Sequence, residues 1–515
     1  MSAHMSRRRF LQLASLGSGG LVVGGVLAAC GATAPAATDS AATPAASGST
    51  GNASFMNFTA TSADQWSRIP ADHQMGTLVS QADWYTMLGS PPAEPIVVAG
   101  FKGGWGEAWI DAVIASMIKD FPGLTVTKDF DPRIWEKMKP RLVAGEVPDW
   151  NYYVLGPWGG EWKQGVEENL VIPVDFLLDI EGYNVPGKRV GDLISPGSAQ
   201  AANGGLRNGQ WALPLSQSVY GLYYNVELFE KNSWPHPADI SWEAFLDLCK
   251  TINDSGTAPF TYAGQYPDYF SFGLMQSLWY KKGGDQLICD MDNLVEGAFL
   301  KPDAVWGVEQ VQNIIKNGWV YKGSEALSHT ESQQVFVEGN AAMIPNGSWM
   351  PNEQRATIPA GFRMKFSGIP APTGGLGFAQ AIQFDRGGAE LQIGNGKNPL
   401  WGMEVMRRIY SPTVQQIFAT EIGSPHAMVN VLTDAKVSAE WQSAAAAITA
   451  ANGNNIVLNY VSWYPEMSKR FNESLGDLWS SKMTAQEGLQ ILERGAKEVR
   501  EDANIVKYTR ECADS

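Results

Sequence analysis

Cysteine and histidine are scarce in this sequence, with 4 Cys and 5 His among 515 residues. No two cysteines stand at C-x-x-C spacing and the histidines are scattered, so neither a metal nor any other cofactor is expected. Positive charge is short as well: 38 Lys and Arg face 53 Asp and Glu, a formal net charge of −15. Nucleic acid and anionic lipid surfaces are both recognised through clustered cations, so this balance argues against either as a partner of the folded body and leaves neutral ligands unaffected. Beyond residue 30 no run approaches the ~20 apolar residues that a membrane-spanning helix needs. Catalytic signatures are missing too. There is no G-x-S-x-G elbow, Walker loop or zinc-protease motif. Gly103-Gly104-x-Gly106 lacks the dinucleotide spacing, and Asp290-x-Asp292 is too short for a calcium loop. Glycoside hydrolysis needs two carboxyl groups facing each other across a cleft, and nothing singles out such a pair. No enzyme activity is expected.

What is present begins at the N-terminus. Ser6-Arg7-Arg8-Arg9-Phe10-Leu11-Gln12 leads into a weakly apolar, glycine-rich stretch from Leu11 to Ala29, the pattern of a twin-arginine export signal. It closes on Leu27-Ala28-Ala29-Cys30, which resembles the lipobox at which bacterial lipoproteins are cut and acylated. The resemblance implies residues 1–30 as signal peptide, with lipidation at Cys30; an ordinary signal with a chance cysteine is the alternative. Residues 31–54 are almost wholly Ala, Ser, Thr, Pro and Gly, too poor in bulky apolar groups to offset the entropy of ordering, and read as a disordered stalk. The expected location is extracytoplasmic, tied to the cell membrane through that lipid. Cys249, Cys289 and Cys512 then form an odd set in an oxidising compartment. Cys249 falls on the apolar face of a helix and reads as a buried thiol, with a Cys249–Cys289 bridge as the alternative.

Residues 55–90, with Trp66, Trp84 and Tyr85 among turn formers, read as an N-terminal extension packed on the body. Strand and helix then alternate. Pro95–Ala99 is a continuous apolar strand; Ile110, Val113, Ile114, Met117, Ile118 and Phe121 fall on one face of a helix over 105–121. A strand at 124–126, a helix at 132–144 and a strand at 149–155 follow. The pattern resumes near Trp211, with strands at 211–215 and 221–224 and a helix from Trp242 to Ile252 whose Phe245, Leu248, Cys249 and Ile252 share a face. Further strands at 259–262 and 341–344 alternate with helices at 270–280 and 305–317. Such alternation specifies open α/β sheets in two lobes.

Gly209-Gln210-Trp211-Ala212-Leu213-Pro214, Gly221-Leu222-Tyr223-Tyr224-Asn225 and Phe336-Val337-Glu338-Gly339-Asn340-Ala341-Ala342-Met343 with Gly347-Ser348-Trp349 resemble the signature of family 1 extracellular solute-binding proteins of carbohydrate ABC importers. Within that family, Tyr262-Ala263-Gly264-Gln265-Tyr266-Pro267, His329-Thr330-Glu331-Ser332-Gln333 and the run from Asn346 to Gln354 are similar to the N-acetylglucosamine/diacetylchitobiose-binding lipoproteins. The resemblance implies the two-lobed type II periplasmic-binding-protein fold, with a hinge crossed more than once. Lobe one would be 91–220 plus 384–432, and lobe two 221–383 plus 433–515. It also implies a monomer that holds a mono- or oligosaccharide in the cleft and delivers it to ABC permease subunits. A lipoprotein glycosidase and a sugar-sensing subunit of a signalling system are the alternatives.

A neutral sugar offers flat C–H faces and a ring of hydroxyls, so its binder needs aromatic planes and in-plane hydrogen-bonding groups. The resemblance points to Trp349 as a stacking plane, and to Tyr269, Trp463 and Tyr464 where relatives carry cleft aromatics. Lobe one should add Trp105, in the loop ahead of the first helix, with Tyr153 and Trp158 after the third strand. Glu107, Gln217, Ser218, Asn346 and Glu390 are the polar candidates; surface or capping roles are their alternative. His329 and Glu331, opening a helix, read as capping groups rather than ligand contacts.

Overall fold

The computed structural model describes residues 58–155, 165–203, 206, 209–385, 390–429 and 438–512. Cys30, the stalk and Trp158 lie outside them. Fourteen strands follow in chain order: β1 (Ile96–Phe101), β2 (Val126–Asp131), β3 (Trp150–Tyr152), β4 (Val171–Ile172), β5 (Glu181–Gly182), β6 (Val185–Arg189) and β7 (Leu213–Pro214), then β8 (Val219–Asn225), β9 (Ala258–Phe260), β10 (Ala341–Gly347), β11 (Met364–Ser367), β12 (Ile382–Phe384), β13 (Glu390–Gly394) and β14 (Asn455–Ile456). They form two six-stranded sheets, one per lobe, and the small hairpin β5-β6.

Lobe one is built on the order β2-β1-β3-β13-β4, with β7 also paired to β13. β1 runs parallel to β2 and β3, while β13 returns antiparallel. The helix Ala108–Asp120 covers this sheet with Trp109, Ile110, Val113 and Met117. Ile118, expected on the same face, is 47% exposed because the 109, 113, 117 stripe takes the buried side. The second strand runs over 126–131 rather than 124–126, since Leu124 completes the preceding turn by donating to the Phe121 carbonyl.

Lobe two has the order β14-β12-β8-β10-β9, with β11 also on β8. Every residue of β8 and of β10 is buried, as befits central strands covered on both faces. The helix Trp242–Asp254 starts at an N-cap, Ser241, that accepts from Ala244 N, and it buries Trp242, Phe245, Leu248, Cys249 and Ile252. The helix read over 270–280 lies inside a longer helical run from Asp268 to Asp292, in which Ser271–Met275 is π-helical.

The chain passes between the sheets after β7, after β12 and again beyond Met428. The expected boundaries at 220/221 and 383/384 fall inside β8 and β12, so the crossings are slightly displaced from them. Backbone hydrogen bonds tie the crossings together: Gln217 N donates to the Pro425 carbonyl, and Asp385 N to that of Ser218. Ser216 also bridges to His426. That histidine packs against Tyr410 and Phe418, and neither ring nitrogen has a partner among the described residues. Burial pushes its pKa from 6.5 down to about 3. The unfolded chain therefore binds a proton that the folded chain refuses, and stability is lost as pH falls below the unfolded value toward the folded one. Between pH 7 and pH 5 the loss through this group is about 2 kcal/mol. Unfolding midpoints at the two pH values should show it, and His426→Phe should remove that share.

The N-terminal extension packs on lobe one. Thr61 N donates to Asn395 Oδ1 at 2.8 Å, and Ser62 Oγ to the Lys397 carbonyl at 2.6 Å. The helix Gln81–Leu88 buries Trp84 and Leu88 completely. Trp84 Nε1 donates to Glu404 Oε2 at 2.7 Å, inside a cluster in which Glu404 also receives Arg407 Nε and Arg408 Nε, each at 2.6 Å.

The buried thiol expected at Cys249 is found, while the alternative bridge from it to Cys289 is not. Cys289 is bridged to Cys512, with a Cα–Cα distance of 5.9 Å, and Cys249 is the free buried thiol. A bridge from Cys249 is ruled out because that side chain is committed to the core face of its own helix. Its thiol pKa is pushed up by burial. The Cys289–Cys512 bridge fastens a C-terminal strap whose Tyr508 stacks on Trp463 at 5.5 Å and whose Arg510 Nη1 lies 2.9 Å from the buried Asp292 Oδ2. Reduction of this long-range link is expected to cost about 2–4 kcal/mol. Unfolding with and without dithiothreitol measures it, and Cys289→Ser should make the protein indifferent to reductant.

Candidate binding cleft

Ligands of open α/β sheets sit beyond the carboxyl ends of the strands, and here four such ends face one another across the gap between the lobes. β1 runs out into Gly103-Gly104-Trp105, and β3 into Tyr153. From the other side β9 leads to the loop carrying Tyr266, Asp268 and Tyr269, and β10 to Trp349 and Glu353. These residues enclose a cleft of about 390 Å³, completed by Phe101, Trp135, Tyr220, His329 and Asp385. That size lies within the range of small-ligand sites. Eight of the lining residues are aromatic and none is Lys or Arg.

Trp349 occupies the middle. Its ring meets Trp105 edge-on at 5.9 Å and 70°, and Tyr220 at 5.1 Å and 86°. A Cβ on Gly347 would fall 2.2 Å from the Trp349 ring, so glycine is what lets that ring lie back over the end of β10. Trp105 is nearly buried, and its Nε1 has no partner among the described residues. Tyr153 has φ of 57°, a left-handed conformation that costs a non-glycine residue about 1 kcal/mol. Burial, with help from Glu390, raises its phenol pKa well above the ordinary value. It is therefore a neutral donor.

A polar wall stands behind the aromatic planes. His329 Nε2 and Gln333 Nε2 each lie 2.7 Å from Glu353 Oε2, and Gln354 Nε2 donates to Gln333 Oε1 at 2.8 Å. Burial raises the pKa of the Asp268 carboxyl and of the Tyr269 phenol. The lobes also touch: Asn352 Nδ2 donates to the Gly104 carbonyl, and Arg355 to that of Glu421.

Trp349, Tyr269, Trp105 and Tyr153 are thus brought together in one cleft. The other expected residues that are described stand elsewhere. Trp463 and Tyr464 belong to the core of lobe two beneath the strap, where Tyr464 Oη accepts from Tyr508 N at 3.0 Å. Glu107 pairs with Lys102 and Lys128, each at 2.7 Å. Burial opposes its charge, yet the two lysines win and hold its pKa low. Gln217 and Ser218 belong to the first crossing, where Gln217 N donates to the Pro425 carbonyl. Asn346 is folded into β10, its Oδ1 accepting from Gly347 N at 2.8 Å. Glu390 is buried in β13 opposite Pro214. Glu331 does cap its helix, in a capping box with Ser328, but His329 lines the cleft instead of capping.

Tyr220, Glu353, Trp135, Asp385, Phe101, Tyr266 and Asp268 were missed. Glu353 carried a signal, since it lies four residues after Trp349 on the same turn. Tyr220 becomes visible only through the antiparallel register that sets it against Gly347.

The family model for bacterial extracellular solute-binding proteins matches residues 110–383, just over half of the chain. The diacetylchitobiose binding protein NgcE of Streptomyces coelicolor is 27% identical over 436 residues, covering 82% of this chain and 88% of that protein. A xylose/arabinose-binding protein of Haloferax volcanii is 21% identical over 289 residues, covering 54% of this chain and 58% of that protein. Among solved structures, a chitin oligosaccharide binding protein superimposes with a TM-score of 0.60 at 20% identity, over 78% of this chain and 98% of that one. A raffinose complex of the binding protein RafE gives 0.59 at 19%, over 78% and 99%. These superpositions establish the shared two-lobed fold.

Proposed function

From the premise that this chain belongs to the bacterial extracellular solute-binding protein family, we propose that it captures a neutral sugar in its cleft and hands it to the membrane permease of a carbohydrate ABC importer. The observation that carries the reading is the lining of the cleft: eight aromatic side chains, three carboxylates, one histidine and no fixed cation. Aromatic planes cover the C–H faces of a pyranose, and carboxylates accept from its hydroxyls. An anionic sugar would find no Lys or Arg among the described lining residues. The similarity to a diacetylchitobiose binding protein makes N-acetylglucosamine or chitobiose the favoured ligand, ahead of other oligosaccharides.

Capture works by closure. Sugar that contacts both lobes binds the closed state more tightly than the open one, and this differential shifts the population toward the form a permease recognises. The protein acts by binding and release, without turnover. Twin-arginine export and a lipid on Cys30 complete the proposal, since an anchor ahead of the body would keep it beside its permease. Titration calorimetry of the purified protein with N-acetylglucosamine, chitobiose, maltose and xylobiose tests the reading. Saturable heat with at least one, and no product, is the expected outcome. No heat with any sugar, together with release of product from a glycan, would turn the assignment to a glycosidase.

A further inference from the structure

Behind the main cleft, and sharing Tyr220 and Asp385 with it, lies a side pocket of about 30 Å³ in lobe two. Tyr220 forms the partition: its ring packs on Trp349 at 5.1 Å on the cleft side and on Phe272 at 5.3 Å on the other. The walls are apolar, from Phe272, Leu458 and Val461, and the floor is a pair of buried amides, Gln276 and Gln383. Gln383 Nε2 donates to Gln276 Oε1 at 3.0 Å, which leaves Gln383 Oε1 without a partner among the described residues although the side chain is only 4% exposed. A buried unpaired acceptor is destabilising, so its retention beside a binding cleft points to a group that arrives with the ligand.

The chemistry of that group follows from the walls. It must be short, since the pocket is far smaller than the main cleft. It must present an N–H or O–H to the floor and hydrocarbon to Phe272, Leu458 and Val461. A hydroxyl meets the first demand and fails the second. We propose that this pocket receives the 2-acetamido substituent of the sugar, its amide meeting Gln383 and its methyl the apolar wall, and that Gln383 is the residue that reads acetylation. This rests on the sugar-capture reading and adds to it the part of the molecule that tells an acetamido sugar from its hydroxyl counterpart.

Titration with diacetylchitobiose and with cellobiose, which carries hydroxyls in place of both acetamido groups, tests the assignment. The parent protein should favour the acetylated disaccharide by about 30-fold or more. Gln383→Met removes the acceptor at similar volume, and Val461→Phe fills the pocket; each should lower that ratio about tenfold with an unfolding midpoint near the parent's. Should the larger phenylalanine prevent folding, the methionine variant still decides. An unchanged ratio in Gln383→Met, or a parent that binds both disaccharides alike or only cellobiose, overturns the assignment and leaves sugar capture standing. A parent that binds no neutral sugar at all overturns the sugar reading itself.

Discussion

Trp349→Ala should weaken sugar binding about 100-fold. The ring stands at the centre of the cleft, held edge-on by Trp105 and Tyr220, and on the proposed reading it stacks on a pyranose. Loss of that plane removes apolar burial and stacking worth about 3 kcal/mol, and each 1.4 kcal/mol is a factor of ten. Because Trp349 is itself only 8% exposed, truncation also opens a void between the lobes and will cost some stability. Trp349→Phe separates the two effects: it keeps a plane and most of the volume, and should lose about tenfold in affinity with little change in unfolding midpoint. Calorimetric affinities for the three proteins, set against their midpoints, provide the check. Parent-like affinity in the alanine variant would remove Trp349 from the site.

Glu404→Gln should be the most damaging single change to stability. Glu404, Arg407 and Arg408 all have 0% side-chain exposure. The carboxylate pKa would be raised by burial alone, but the two guanidinium groups overcome this and hold it low. The glutamine keeps the shape and removes the charge, so two cations remain in the interior with their main counter-charge gone; Arg408 retains only Asp120, at 2.9 Å. Breaking a buried pair from one side costs about 3–5 kcal/mol, against a total stability of about 5–15 kcal/mol for a typical domain. The unfolding temperature should drop by about 10 °C. Lys397→Ala is the contrast, since its partner Glu94 lies 2.6 Å away but the two side chains are 76% and 66% exposed. Such a pair contributes about 0–1 kcal/mol. Comparable losses in the two variants would mean that water reaches the Glu404 cluster.

Much of the architecture was legible because periodicity reports burial. The helix from Trp242 was readable from the apolar face carrying Phe245, Leu248, Cys249 and Ile252, and the glycine-serine run before Trp349 marked a strand end at the cleft. What stayed hidden depends on contacts between distant segments. Cys289 and Cys512 are 223 residues apart, and only the path of the strap brings them together. Trp463 and Tyr464 occupy a family position for cleft aromatics, yet in this chain Tyr508 of that strap covers them. Nothing local to 463–464 announces it. Glu107 likewise resembled a cleft carboxylate until Lys128, from the next strand, was placed beside it. Candidate aromatics on loops after strands were therefore located better than candidate polar residues, whose partners come from elsewhere in the chain.

Among the described residues, the extension before β1 is bonded to lobe one at several points, Asp179, Asn395, Lys397 and Glu404 among them. Any attachment through the N-terminus would consequently hold the molecule by lobe one and leave lobe two free of it. On the proposed reading, a permease would then meet one lobe that carries the leash and one that does not.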